Sequence, residues 1–96
     1  MPLTADQQLS VRLSAICSRN QYTDTPGVVL DELREAAAGR DDLLVEAAGL
    51  WAGFREHDPW SQPLIHALLT LPGVEPWVQF GRERASHPAP DTSFGR

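Results

Sequence analysis

The 96 residues are 42% hydrophobic with a net charge of −5, which fits one small domain with a single core and no more than one. No apolar run reaches the ~18 residues that span a bilayer, and MPLTADQQLS lacks both a basic start and an apolar stretch, so no membrane segment or secretory signal is expected. All eight basic residues are arginine, scattered among thirteen carboxylates; this excludes lysine Schiff-base chemistry and argues against nucleic acid, whose affinity is built from clustered phosphate contacts.

Thr4-Ala5-Asp6-Gln7 is a capping-box pattern and opens a helix over about 5–21 with Leu9, Leu13, Ile16 and Cys17 on one face. Thr25-Pro26 reads as N-cap and first residue of a second helix, which turns Val29, Leu30, Leu33, Ala36 and Ala37 inward and stops at Gly39. Arg40-Asp41-Asp42 restarts the chain with an aspartate as N-cap, and a third helix is expected over about 42–57. At 100° per residue, Leu43, Leu44, Ala47, Leu50, Trp51 and Phe54 form one stripe of that helix. Val45, Gly49, Ala52 and Gly53 form another on the far side. A helix apolar almost all round is buried on two sides, so this one is expected to be central.

The stretch HDPWSQPLIH, residues 57–66, poses the main functional question. Pro63 is tolerated only in the first turn of a helix, so Ser61 is expected as N-cap, with Trp60 before it able to pack on Ile65 as a hydrophobic staple. Asp58, preceding a proline, ends the third helix. The fourth helix carries Leu64, Ile65, Leu68, Leu69 and Leu71 and stops at Pro72-Gly73. A fifth begins at Pro76 and bears Trp77, Phe80 and Arg84. The expected architecture is thus an all-α bundle of about five short helices over 4–85, followed by a flexible tail, 86–96, in which Phe94 is a lone candidate anchor.

Chemistry finds little purchase. Glu56, His57, Asp58 and His66 are the acid-base or metal candidates, but the two histidines project from different elements and no His-Glu-x-x-His spacing exists. They read better as a helix end and a solvated face. Cys17 borders the apolar face of the first helix, as an inert buried thiol would, and no cofactor or metal is expected.

A protein partner is the better expectation. Gly49-x-x-x-Gly53 admits close helix packing, either by another helix of the same chain or by a partner, including a second copy in a homodimer. Trp60 and Trp77 are core or interface residues, since tryptophan is enriched at binding hot spots. Asp31, Glu32, Glu35, Asp41, Asp42 and Glu46 surround the turn between the second and third helices, as a solvated face or as a docking surface for a basic partner.

The segments ELREAAAGRDDLLVEAAGLWAGF, residues 32–54, and EPWVQFGRERA, residues 75–85, make the chain resemble small helical actinobacterial proteins of unknown function. The absence of lysine, whose codons are AT-rich, also points to a high-GC genome. The resemblance implies an all-helical fold in a bacterial cytoplasm and assigns no site residue. A non-enzymatic protein-interaction module is the expected function, with an acidic immunity or inhibitor protein acting on a basic toxin or nucleic-acid enzyme as the alternative. An acid-base or metal enzyme using His57, Asp58 and His66 comes third.

Overall fold

A computed structural model describes residues 2–86. Among them are five α-helices: α1 (Ala5–Arg19), α2 (Pro26–Ala37), α3 (Asp41–Phe54), α4 (Gln62–Leu68) and α5 (Glu75–Ser86), with a 3-10 turn at Pro59–Ser61 before α4 and no strand. The all-α expectation and the helix count hold. Ser86, expected in the tail, is the last residue of α5; the rest of that tail, with Phe94, lies outside the described residues.

Local chemistry accounts for most helix ends. At α1 the Thr4 hydroxyl accepts from the Gln7 amide at 3.1 Å while the Gln7 side chain accepts from the Thr4 amide at 2.9 Å, so two otherwise orphaned donors are satisfied. Thr25 occupies the N-cap of α2 but makes no cap bond with its side chain. Its backbone ψ of 65° departs from the extended 166° of Thr4, and its hydroxyl lies against that of Thr23 at 3.2 Å instead. Arg40 rather than an aspartate is the N-cap of α3, and both Asp41 and Asp42 fall in the first turn, where the helix dipole favours them. The Arg40 guanidinium spans Asp42 at 3.1 Å and Asp6 at 3.0 Å, which ties the start of α3 to the start of α1.

The α2–α3 reversal uses two left-handed residues, Ala38 at φ 52° and Gly39 at φ 90°. Leu71-Pro72-Gly73-Val74 is a second tight reversal, closed by the Val74 amide on the Leu71 carbonyl at 3.2 Å, with Gly73 at φ 84° in the position where a Pro-Gly turn demands it. It cuts α4 to end at Leu68 instead of Leu71, yet Leu71 and Val74 both reach the core from the turn. α3 also ends earlier than expected, at Phe54, because residues 55–57 turn the chain before Asp58 enters its extended conformation at ψ 111°.

α3 packs against every other α-helix, as its two apolar stripes demand. Leu13 and Cys17 of α1, Leu33 of α2, Leu64 and Leu68 of α4 and Val78 of α5 are fully enclosed and share one core with Leu44, Ala48 and Ala52 of α3. Each enclosed leucine contributes about 1.5–3 kcal/mol of transfer free energy. The closest approach is α3 to α5. A Cβ placed at Gly49 would sit 2.5 Å from the Trp77 Cβ and 2.9 Å from the Val74 carbonyl oxygen, and one at Gly53 would overlap the Val78 carbonyl oxygen. Gly81 answers from α5, where a Cβ would lie 2.5 Å from the Leu50 carbonyl oxygen.

Candidate functional site

The structure separates the residues that the sequence offered as a partner surface. Gly49 and Gly53 lie buried beneath α5 of their own chain, with Trp77 half-buried over Gly49, so this close-packing seam is already filled and presents nothing to a partner. Of the two alternatives that the Gly49-x-x-x-Gly53 spacing left open, another helix of the same chain fills the seam, and the reason is the complementary Gly81 on α5. Trp60 is 74% exposed, so it neither staples onto Ile65 nor joins the core. The enclosed tryptophan is Trp51, 7% exposed, whose indole N–H donates to the Ser18 hydroxyl at 3.0 Å.

Asp31, Glu35 and Asp42 are exposed around the α2–α3 turn, as expected. Several charges of this surface are met within the chain: Asp31 lies 3.9 Å from Arg34, Asp42 is held by Arg40, and Glu32 pairs with Arg19. The Arg40 guanidinium holds the Asp42 carboxyl below the usual carboxylate range, chiefly by direct hydrogen bonding.

The HDPWSQP stretch is a polar knot that joins two helices. Asp58 accepts from the Trp60 amide at 3.0 Å and from the Ser61 hydroxyl at 2.8 Å. Ser61 stands at the N-cap of α4, but its fully buried hydroxyl donates to Asp58 rather than capping the helix. The Gln62 side-chain amide donates to the carbonyls of Glu56 and Asp58 at 2.8 and 2.9 Å. His57, in the turn after α3, and His66, on α4, are both exposed, and Glu56 pairs with Arg82 of α5. His57 lies beyond the last turn of α3 instead of closing that helix. Among the described residues no three His, Cys, Asp or Glu side chains gather in a metal-binding arrangement. Cys17 is fully enclosed, and burial pushes its thiol up to about 12, which leaves it protonated and poorly nucleophilic near neutrality.

A different surface stands out, and the sequence reading missed it. Leu50, Trp51 and Phe54 of α3, Phe80, Gly81 and Arg84 of α5, with Arg55 and Ser14, line an open groove of about 310 Å³. Phe54 is 58% exposed, although it was expected on the apolar stripe of the third helix, and Phe80 is 44% exposed. The Leu43–Ala47–Trp51 part of the α3 stripe is buried, whereas at Leu50 and Phe54 the stripe emerges at the surface. Two arginines sit against aromatic rings of the groove, one over the enclosed Trp51 and one over the exposed Phe80. The Arg55 guanidinium sits 5.2 Å from the Trp51 ring centroid, and that of Arg84 sits 5.7 Å from the Phe80 centroid. Phe80 also meets Trp77 edge-on, with centroids 6.4 Å apart at 69°.

The electrostatics of this groove differ from those of the chain as a whole. Its lining contains two arginines and no carboxylate. Among the described residues neither Arg55 nor Arg84 forms an ion pair, while Arg19, Arg34, Arg40 and Arg82 all do. Arg55 Nε is shielded from water and has no hydrogen-bond partner among the described residues. The signal was present as two aromatic-to-arginine spacings of four, Trp51–Arg55 and Phe80–Arg84, which place each guanidinium over a ring one helical turn back. No helix among the described residues is long and apolar enough to cross a membrane. Compared with known proteins, the chain matches no family model, no curated protein and no solved structure.

Proposed function

We propose that this chain is a non-enzymatic protein-interaction module of a bacterial cytoplasm and that it docks its partner on the α3–α5 groove. One observation carries the reading: Phe54 and Phe80 are both exposed and line one open groove together with Arg55 and Arg84, which form no ion pair among the described residues. Aromatic and arginine side chains are the groups enriched where binding energy concentrates, and water-facing phenyl rings gain from being covered.

A protein other than a second copy suits this surface. A two-fold contact centred on the groove would bring two copies of Arg55 and Arg84 together with no carboxylate from the lining residues between them. The acidic-antagonist reading draws on Asp31, Glu35 and Asp42, but the ion pairs of Asp31 with Arg34 and Asp42 with Arg40 reduce the charge offered to a basic partner.

A photo-crosslinking residue placed at position 54 in the producing cell tests the proposal, with a second placed at Glu35 as control. The expected outcome is one identified protein captured from position 54, which then forms a complex with the purified chain that Phe54→Ser with Phe80→Ser abolishes. Capture from Glu35 alone would move the docking surface to the acidic face.

A further inference from the structure

On the reading that the α3–α5 groove docks a protein, we infer that its occupant is an acidic amphipathic helix, whose apolar residues cover Leu50, Phe54 and Phe80 while its carboxylates meet Arg55 and Arg84. Shape comes first. The floor is made by two helices that cross closely at Gly53 and Gly81, and a two-helix floor with an open apolar trough accepts a third helix along it, by the same side-chain interdigitation that packs α5 on α3.

Charge then narrows the chemistry. A chain of net charge −5 repels acidic partners over most of its surface, so two arginines on one apolar trough, with no ion pair among the described residues, form a local exception that selects for carboxylates there. Each guanidinium is steadied by the aromatic ring beside it, which limits the freedom lost when it binds. Arg55 has a further need, because its Nε has lost water and gained no acceptor among the described residues. A carboxylate arriving beside a guanidinium already partly desolvated interacts more strongly than it would in open water.

A displayed library of helical 15-residue peptides, with apolar residues fixed on one face and the other positions random, provides the test. Selection uses the full chain, and the selected peptides are then measured against Phe54→Ser with Phe80→Ser, against Arg84→Gln, and against Arg55→Gln with Arg84→Gln. Helicity by circular dichroism confirms that each variant is folded, and Arg84, exposed on α5, gives a variant that leaves the core untouched.

The expected result is enrichment of peptides with Asp or Glu bordering the apolar face. Their affinity falls about tenfold in Arg84→Gln, whereas forms of the same peptides with Gln replacing Glu lose less than about twofold. Selected peptides without acidic excess, or acidic ones indifferent to Arg84→Gln, overturn the inference and leave the docking groove standing. Peptides indifferent to the paired phenylalanine variant, or no selected peptide at all, overturn both. Dodecanoate is assayed alongside: if it binds in the groove and no peptide does, the site belongs to a small amphipathic carboxylate and the helical partner is overturned.

Discussion

Gly53 and Gly81 meet where α3 crosses α5: a Cβ on Gly81 would stand 3.2 Å from the Gly53 Cα and 2.5 Å from the Leu50 carbonyl oxygen. The obstruction is backbone, which cannot rotate aside as a side chain can. Gly53→Ala gains about 1 kcal/mol of helix propensity but forces the helices apart, and overpacking a close contact of this kind costs about 1–3 kcal/mol. Against the Val78 carbonyl the second effect wins, so Gly53→Ala is expected to lower stability by about 1–2 kcal/mol in urea unfolding. Gly27, also helical, has nothing within 4 Å of its would-be Cβ. Gly27→Ala is expected to be neutral or stabilising by up to about 1 kcal/mol, and a Gly53→Ala variant that behaves the same way would mean that α5 is not seated on α3.

Trp51 is nearly enclosed, and its indole N–H depends on the Ser18 hydroxyl at 3.0 Å. Removing the acceptor leaves a buried donor unmet, so Ser18→Ala is expected to cost about 1–2 kcal/mol. Trp51→Phe removes the donor but also the larger ring and the platform under Arg55. The double variant should therefore lose less than the sum of the two single losses, by about 1 kcal/mol in a thermodynamic cycle. Strict additivity would show that the bond contributes nothing.

Periodicity and capping chemistry make the bundle legible in the sequence. The Thr4–Gln7 box, the Pro26 start and the two-sided apolarity of α3 are all local signals, and each describes the chain, whereas the Pro72-Gly73 signal marks a turn that α4 does not reach, since the helix ends at Leu68. Thr25 and Ser61 show where local signals fail. Both stand at N-caps, but Thr25 has a ψ that misdirects its hydroxyl, and Ser61 finds a better acceptor in Asp58. The groove was not legible for a different reason: a helical wheel places Phe54 on the apolar stripe of α3, but does not show which length of that stripe the neighbouring helices fail to cover. Gly49-x-x-x-Gly53 likewise announced a close contact without naming its partner, which is Gly81's helix.

Cys17 gives the fold an alkaline weakness. Burial raises its thiol from an ordinary 9.0 to about 12, so between those values the folded chain holds a proton that the unfolded chain has released. Protons bound preferentially by the folded state make stability fall as pH rises. Stability is therefore expected to decline above about pH 9, and Cys17→Ala, which pays a constant cavity cost, should flatten that decline. Urea midpoints from pH 7 to about pH 10.5 for both proteins check it; equal slopes would remove Cys17 as the cause. Below pH 9, a thiol reagent should react only as fast as the domain opens.

Asp58 and Trp60, adjacent in the same motif apart from one proline, are expected to respond in opposite ways. Asp58 accepts two hydrogen bonds, and without it the fully buried Ser61 hydroxyl has no partner, so Asp58→Ala should cost about 2 kcal/mol. Ser61→Ala removes the donor as well, and in that background the further loss from Asp58→Ala should drop to about 1 kcal/mol, the share of the Trp60 amide. Trp60→Ala should change stability by less than about 0.5 kcal/mol, because its ring lies in solvent. The same ring should be quenched freely by iodide while Trp51 is protected. A large stability loss in Trp60→Ala would restore the hydrophobic staple, whereas a small one with full quenching makes the acid-Pro-Trp sequence a joint held by its aspartate, with the tryptophan left over for the surface.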